Sequence, residues 1–241
     1  MTSQKGKNDT KAQITLRGIG EKINQGPVSF LLALVTYPLK FFGMESKRNS
    51  INGRFLGRKY IDYIKKNYGL VFLDVYLEFY PSSLKEVFID KVYDAFPVDS
   101  KDVILDCGAT VGEYGLYCFK KGSTTYSFES NSEYFKVMKK IIKLNCASAK
   151  VIPFLAEIGK RNTLDGFVKK LKIKPTLLKI DIEGFEHDAL LGAKKLLKTC
   201  PRIIIETHSK DLENKCLFIL KNNGYKICKK WNREKKILYG F

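Results

Sequence analysis

The sequence predicts an α/β protein: one mostly parallel sheet layered with helices and closed by a C-terminal antiparallel hairpin, behind an N-terminal extension. Three observations predict it. From Val103 onward, short β-rich apolar runs alternate with helical patterns, which calls for crossover connections and parallel strands. The first of those strands breaks at its end into a loop bounded by Gly108 and Gly112, the kind of turn with which such sheets meet a ligand. The last two runs are joined by a short polar turn around Asn232, too short for a crossover, so they must run antiparallel.

Composition sets the frame. The chain has 241 residues, of which 44% are hydrophobic, enough for one sizeable core with a small appendage. Its formal charge of +18 favours phosphates, anionic lipid surfaces or acidic substrates. Lysine dominates that charge and is spread along the chain, with a late cluster from Lys226 to Lys236; a solvated lysine surface and a nucleic-acid or membrane patch both fit. The six cysteines form no C-x-x-C pair, which predicts reduced, mostly buried thiols and a cytoplasmic protein rather than a zinc site.

Residues 1–80 form the extension and 81–241 the main domain. The first 25 or so residues are polar and predicted to be partly disordered. Residues 28–42, V-S-F-L-L-A-L-V-T-Y-P-L-K-F-F, are the most apolar run. A bilayer span needs about 20 such residues, and Pro38 and Lys40 interrupt this one. It predicts a packed helix, with a helix lying on a membrane interface as the alternative. A helical spacing follows from Tyr60 through Ile64, and Leu70 to Tyr80 alternates like a strand. Ser83 and Glu86 read as a capping box opening a helix through Leu84, Val87, Phe88, Val92 and Phe96.

Then come the sheet elements. Strands are expected at Val103–Asp106, Thr124–Glu129, Lys150–Leu155, Thr176–Asp181 and Arg202–Glu206. Helices are expected from about Gly112 to Lys121, through Phe135 to Leu144, from near Thr163, from Phe185 or Glu186 to Lys198, and from Asp211 to Asn223. The closing strands are Tyr225–Lys229 and Lys236–Tyr239.

The chemistry gathers at the strand ends. Gly108 and Gly112 let the backbone turn and a ligand approach, with Ala109 between them and Asp106 at the strand tip. Glu129 ends the second strand, where an acid accepts hydrogen bonds from ribose hydroxyls. A dinucleotide's pyrophosphate would be repelled by Asp106, whereas the ammonium and sulfonium of S-adenosylmethionine would be attracted; charge therefore favours the latter cofactor. Asp181, Glu183 and Glu186 crowd the end of the fourth strand, although an acid near a helix N-terminus also suits the helix dipole. The fifth strand ends Glu206-Thr207-His208, so Asp181, Glu183, Glu206 and His208 are expected to converge. An unperturbed histidine, with a pKa near 6.5, suits a general base; a satisfied structural histidine is the other reading. No metal is expected, because no diagnostic ligand spacing is present.

Taken together, E-V-F-I-D-K-V-Y, V-I-L-D-C-G-A-T-V-G-E-Y, F-E-S-N, T-L-D-G-F, L-L-K-I-D-I-E-G-F-E-H-D-A-L-L-G-A and I-I-I-E-T-H resemble the FkbM family of S-adenosylmethionine-dependent methyltransferases. The likeness covers about residues 84–228, and K-I-D-I-E-G-x-E is its most specific part. It implies a class I methyltransferase fold with a Rossmann-like sheet. Asp106, Gly108, Ala109, Gly112 and Asp181 would lie around the amino-acid end of the donor and Glu129 on its ribose, with Ala156 and Glu157 as candidates for the adenine. Relatives of this family mostly methylate sugar or polyketide hydroxyls. O-methylation of a sugar, glycan or related small molecule is therefore expected, with His208 or Asp181 as base and Glu183 and Glu206 orienting it. Thr110 departs from the family's frequent Asn, and Ser130-Asn131 from its common Pro. The alternatives are a nucleic-acid methyltransferase, suggested by the basic surface, and a non-catalytic membrane-surface or glycan-binding protein. The former lacks support at the fourth strand, which ends D-I-E-G and not in the N-P-P-Y or D-P-P-Y turn of base-amino methyltransferases. Peripheral membrane contact through residues 28–42 would accompany a lipid-linked glycan acceptor.

Overall fold

A computed structural model describes residues 45–73, 81–232 and 235–241. The chain parts into two compact units, residues 1–60 with 74–81 and residues 61–73 with 82–241. The apolar run at 28–42 lies outside the described residues, as does most of the strand expected over Leu70–Tyr80. No described helix is long and apolar enough to cross a membrane.

Helix α1 (Glu45–Tyr68) is followed by α2 (Pro81–Phe88), β1 (Val103–Cys107), α3 (Glu113–Phe119), β2 (Thr124–Glu129), α4 (Ser132–Leu144) and β3 (Val151–Leu155). Then come α5 (Leu164–Leu171), β4 (Leu177–Ile180), α6 (Glu186–Leu191), a single 3-10 turn at Leu196–Lys198, β5 (Ile203–Thr207), α7 (Lys210–Asn222), β6 (Ile227–Asn232) and β7 (Lys235–Gly240). The seven strands form one sheet in the order β3-β2-β1-β4-β5-β7-β6. Strands β1 to β5 pair parallel, while β7 runs antiparallel to both β5 and β6. The hairpin thus forms one edge of the sheet, with its second strand, β7, set between β5 and the outermost strand β6.

Side chains alternate faces along a strand, and here the alternation separates core from chemistry. Leu105 and Cys107 of β1, Leu178 and Ile180 of β4, and Ile203 and Ile205 of β5 join one buried apolar cluster with residues of α5, α6 and α7. The opposite face of β1 and β4 carries Asp106 and Lys179, which are register partners on adjacent strands. Helix α4 is amphipathic, burying Val137, Met138, Ile141 and Ile142, and its cap is made by Asn131, whose side chain accepts from the Glu133 and Tyr134 amides. Four cysteines of the chain, Cys107, Cys118, Cys200 and Cys216, are buried, and Cys146 and Cys228 are exposed.

Three expectations are corrected. Leu70–Leu73 makes no strand, because the Asn145 carboxamide takes both groups of Val71: its Oδ1 accepts from the Val71 amide and its Nδ2 donates to the Val71 carbonyl, each at 2.8 Å. The capping box does not form. Ser83 lies within α2, which stops at Phe88, and its hydroxyl donates to Glu113 Oε1 at 2.5 Å. The helix expected from Phe185 to Lys198 breaks after Leu191. A Cβ at Gly192 would stand only 3.1 Å from the Gly159 carbonyl, and the Asp165 carboxylate captures the amides of Lys195 and Leu196 at 2.8 Å, starting a separate turn.

Candidate active site

The glycine loop leaves β1 through left-handed backbone at Gly108 (φ 79), Thr110 (φ 50) and Gly112 (φ 89). At Gly108 no other residue fits, because a Cβ would fall 1.7 Å from the Asp181 carbonyl oxygen. The amides of Gly108 and Ala109 both donate to the Phe128 carbonyl at 3.0 Å, which ties the loop to β2. Thr110 adopts the left-handed conformation that Asn tolerates better than a β-branched residue.

Glu129 is buried at the tip of β2. Its carboxylate accepts from the amides of Thr110 (2.8 Å) and Asn131 (2.7 Å), so the backbone fixes its direction. Burial raises its pKa, and those amides oppose the rise. A carboxylate has about four acceptor positions, so two amide bonds leave capacity for further donors. Ala156 donates its amide to the Glu129 carbonyl at 2.9 Å and so stands beside the ribose acid, whereas Glu157 is exposed.

Asp106 does not stand open at the loop's mouth. It is fully buried, with Lys179 Nζ 3.1 Å from its Oδ1, and Lys179 also donates to the Gly108 carbonyl at 2.9 Å. The register of β1 and β4 dictates this pairing. Burial alone would lower the Lys179 pKa, but the charges of Asp106 and Asp181 outweigh it and hold the ammonium well above its usual range. Asp106 therefore braces the loop from beneath through Lys179, and its attraction for an ammonium is already largely neutralised.

Around the ends of β4 and β5 the expected residues converge. Tyr93, in the turns after α2, places its hydroxyl 2.6 Å from Asp181 Oδ2 and 2.8 Å from Glu206 Oε2. Burial, followed by the charges of Asp181 and Glu206, pushes the phenol pKa well above normal, so it stays protonated. On the other side His208 Nε2 lies 3.5 Å from Asp181 Oδ1, 3.3 Å from Glu183 Oε2 and 3.8 Å from Glu206 Oε1. Its Nδ1 is 2.9 Å from Glu186 Oε1, which also accepts from the Gly184 amide. Left-handed backbone at Glu183 (φ 49) and Gly184 (φ 107) makes the turn that brings this about. The Glu186 bond first, and then the other carboxylates, raise the His208 pKa to about 9 despite the opposing effect of burial. The expectation of an unperturbed histidine base is corrected accordingly: at neutral pH this ring is a cation.

A recess opens beside Tyr93 and Asp181, walled by Gly108 to Thr110, by Ser83 and Glu86 of α2, and by Lys179. Glu113 also borders it, and burial raises this carboxyl's pKa to about 7. Tyr93, Lys179, Ser83 and Glu113 were absent from the sequence-derived site. Lys179 carried a signal as a lysine inside the apolar run L-L-K-I, while Tyr93 ends the quoted E-V-F-I-D-K-V-Y and Glu113 follows Gly112, without either being assigned to the site.

The strand order, with its antiparallel β7 between β5 and β6, is that of the class I methyltransferase fold, and the glycine loop and the acid at the tip of β2 stand at its ligand-binding end. Solved structures of that class share the fold. The METTL16 MTase domain aligns at a TM-score of 0.59 and 15% identity, covering 77% of this chain and 78% of that one. Precorrin-6y C5,15-methyltransferase from Geobacter metallireducens aligns at 0.50 and 14%, covering 66% and 87%. Fibrillarin from Aeropyrum pernix, with natively bound S-adenosyl-L-methionine, aligns at 0.50 and 14%, covering 61% and 69%. The profile of the Methyltransferase FkbM domain matches residues 160–227, from the loop before α5 to the start of β6. The resemblance to the FkbM family is thereby borne out, and S-adenosylmethionine is the cofactor that family and fold define. No curated protein matches the chain.

The residues fit that group. Gly108 and Gly112 leave no side chain at either end of the loop, the Glu129 carboxylate retains acceptor capacity where hydroxyls would meet it, and Asp181 supplies negative charge at the recess.

Proposed function

We propose that this methyltransferase is an O-methyltransferase acting on a hydroxyl of a sugar, glycan or related small molecule. The observation that carries the reading is the convergence of Asp181, Glu183, Glu206 and His208 beside the glycine loop, with Asp181 lining the same recess as Gly108 and Ala109. Carboxylates aimed into a recess suit hydroxyl groups, which donate to them, and do not suit phosphates.

S-adenosylmethionine, when bound, supplies an already activated methyl group, so the protein's task is alignment and proton removal. Glu129 holds ribose hydroxyls. Asp181, whose Oδ2 is anchored by Tyr93, offers Oδ1 to the acceptor's hydroxyl proton. His208, cationic at neutral pH, holds the carboxylates together instead of acting as the base, and Glu183 and Glu206 grip neighbouring acceptor hydroxyls.

A second reading, an RNA acceptor, draws on the charge of +18 and on the fold shared with fibrillarin and METTL16. Incubating the protein and labelled methyl donor with a glycan-rich extract fraction and with total RNA separates the two. Label in the glycan fraction, stable to base as an ether is, supports the proposal. Label in RNA, with binding that falls steeply as salt rises, would replace it. A cytoplasmic location, with membrane contact through residues 28–42, belongs to the same proposal, and liposome flotation with and without residues 1–45 tests the contact.

A further inference from the structure

We propose that Glu113 reads the charge of the donor: it gives up a proton when S-adenosylmethionine binds and takes one back once the methyl group has left, so that the spent product is held less tightly than the donor. Glu113 opens α3 and borders the recess that Gly108, Ala109 and Asp181 also line. It is 2% exposed, and its carboxylate accepts from the Ser83 hydroxyl at 2.5 Å and from the Val111 amide at 3.1 Å, neither of them charged. Lys179, the cation whose charge reaches it, is already engaged by Asp106 at 3.1 Å and by the Gly108 carbonyl at 2.9 Å. An acid buried beside a recess without a cation of its own is a costly place for a negative charge until a ligand brings a positive one.

The partners of Glu113 suit both of its states. A hydroxyl donates to an ionised carboxylate and accepts from a protonated one, so the bond between α2 and α3 survives the change by reversing direction, while the Val111 amide stays on the other oxygen. Burial first, with the charge of Asp106, raises the Glu113 pKa to about 7, and the Ser83 bond and the Lys179 charge oppose the rise. The other titratable groups lining the recess are the carboxyls of Glu86 on α2 and Asp181 after β4, and the phenols of Tyr93 and Tyr114. Burial holds both phenols protonated, so Lys179 is the one cation in that wall.

The donor carries a sulfonium and an ammonium against a single carboxylate and is a net cation; S-adenosylhomocysteine, left when the methyl group passes to the acceptor oxygen and the bonding pair stays on sulfur, is neutral overall. An opposite charge within about 4–6 Å lowers the titration of a carboxyl by about 1 to 3 pH units, enough to ionise Glu113 at neutral pH. After transfer, the acceptor's proton has gone to Asp181 and the charge on sulfur has vanished. Glu113 is then again a buried carboxylate facing no ligand cation, and it recovers a proton from solvent. Donor affinity is therefore linked to pH through Glu113, and product affinity much less so. The inference rests on the donor's amino-acid end occupying this recess.

Calorimetry of the full-length protein at about pH 6.5, in buffers of different ionisation enthalpy, counts the protons released on binding. Wild type should release roughly 0.5–0.8 proton with S-adenosylmethionine and at most about 0.2 with S-adenosylhomocysteine, and its affinity for the donor should rise about fivefold from about pH 6 to about pH 7. Glu113→Gln should bind the donor without that release. Ser83→Ala, which keeps the carboxyl but removes a bond that lowers its pKa, should move the release to higher pH. Glu133→Gln, at an exposed carboxylate on α4, should behave like wild type. Infrared difference spectra of the wild type give a second reading: a protonated-carboxyl band should be lost with S-adenosylmethionine and kept with S-adenosylhomocysteine. Donor binding without proton release, equal release with the two ligands, or release retained by Glu113→Gln overturns the proposal. Absence of donor binding in every buffer overturns the placement of the donor as well, which separates the two failures.

Discussion

The two ends of the sheet hold polar clusters of opposite character. At the amino-terminal edge Asp102 is ion-paired with Arg202 and accepts from the Thr176 hydroxyl at 2.7 Å and the Asp99 amide at 2.9 Å. Arg202 spends its other donors on the carbonyls of Pro97 at 2.7 Å and Thr176 at 3.1 Å. Burial raises the Asp102 pKa, yet its donors win and the net shift is downward. At the carboxyl-terminal edge Asp181, Glu183, Glu186 and Glu206 crowd one imidazole and one phenol. There the hydroxyl of Tyr93 faces two carboxylates with a single proton to donate. One edge is closed on itself and serves stability; the other concentrates like charge, as functional sites do.

Substitutions can break that contrast. The largest effect is expected at the open edge: Asp181→Asn should lower kcat by roughly 10²- to 10⁴-fold, the usual loss for a general base, with Tm unchanged or higher because like charge is relieved. A Tm drop of many degrees in a variant of normal kcat would assign Asp181 to structure instead.

Next comes Glu113, at the open edge, where burial outweighs its bonds from Ser83 and Val111 and raises the pKa from 4.5 to about 7. The folded state therefore holds a proton that the unfolded chain releases between about pH 4.5 and 7, so stability falls as pH rises through that window. A shift of this size is worth about 3 kcal/mol above pH 8. Glu113→Gln, whose Oε1 can accept from the Val111 amide while its Nε2 donates to the Ser83 hydroxyl, should match wild type in Tm near pH 4.5 and exceed it at pH 8; parallel Tm profiles would refute the assignment.

At the closed edge Arg202→Ala should cost about 2–3 kcal/mol in urea unfolding, with kcat per folded molecule within about twofold of wild type. Its pH dependence has the opposite sign to that of Glu113. The lowered Asp102 pKa stabilises the fold above the unfolded value of 3.8 and loses that contribution as pH falls below it. The smallest effect on the reaction is expected for Glu129→Gln, about tenfold weaker S-adenosylmethionine binding by calorimetry, with a fall in Tm because the carboxamide oxygen can replace only one of the two acceptors used by the Thr110 and Asn131 amides.

The sequence made one edge more legible than the other. Strand and helix alternation placed β2 at its observed bounds and the remaining strands within about two residues at most ends, because local apolar runs coincide with buried positions. The acids at 181, 183, 186 and 206 were visible as a cluster, and their convergence followed from β4 and β5 being neighbours. What they do to His208 was not visible, since a pKa of about 9 arises from distances across two loops. Asp106 was read as facing the ligand; its burial depends on which residue of β4 stands opposite, and that is Lys179. Tyr93 ends the segment E-V-F-I-D-K-V-Y, but that segment was read as one helix, and the turns after α2 that aim its hydroxyl at Asp181 and Glu206 were not visible in it. Leu70–Leu73 alternates like a strand, but Asn145, 74 residues from Val71, satisfies the backbone there in place of a neighbouring strand.

Gly108 and the Asp181 carbonyl touch backbone to backbone, with no room for even a methyl group between them. In the proposed mechanism the loop that would cradle the donor and the peptide that carries Asp181 are therefore one rigid frame. In-line transfer loses rate steeply when its partners are misplaced by an ångström, and this contact removes one way for them to drift. Relatives with new acceptors have accordingly little freedom to reposition the reaction itself. Their variation must fall on side chains hung around the frame and on whatever covers the recess from outside, so acceptor preference can change while the transfer geometry is inherited intact.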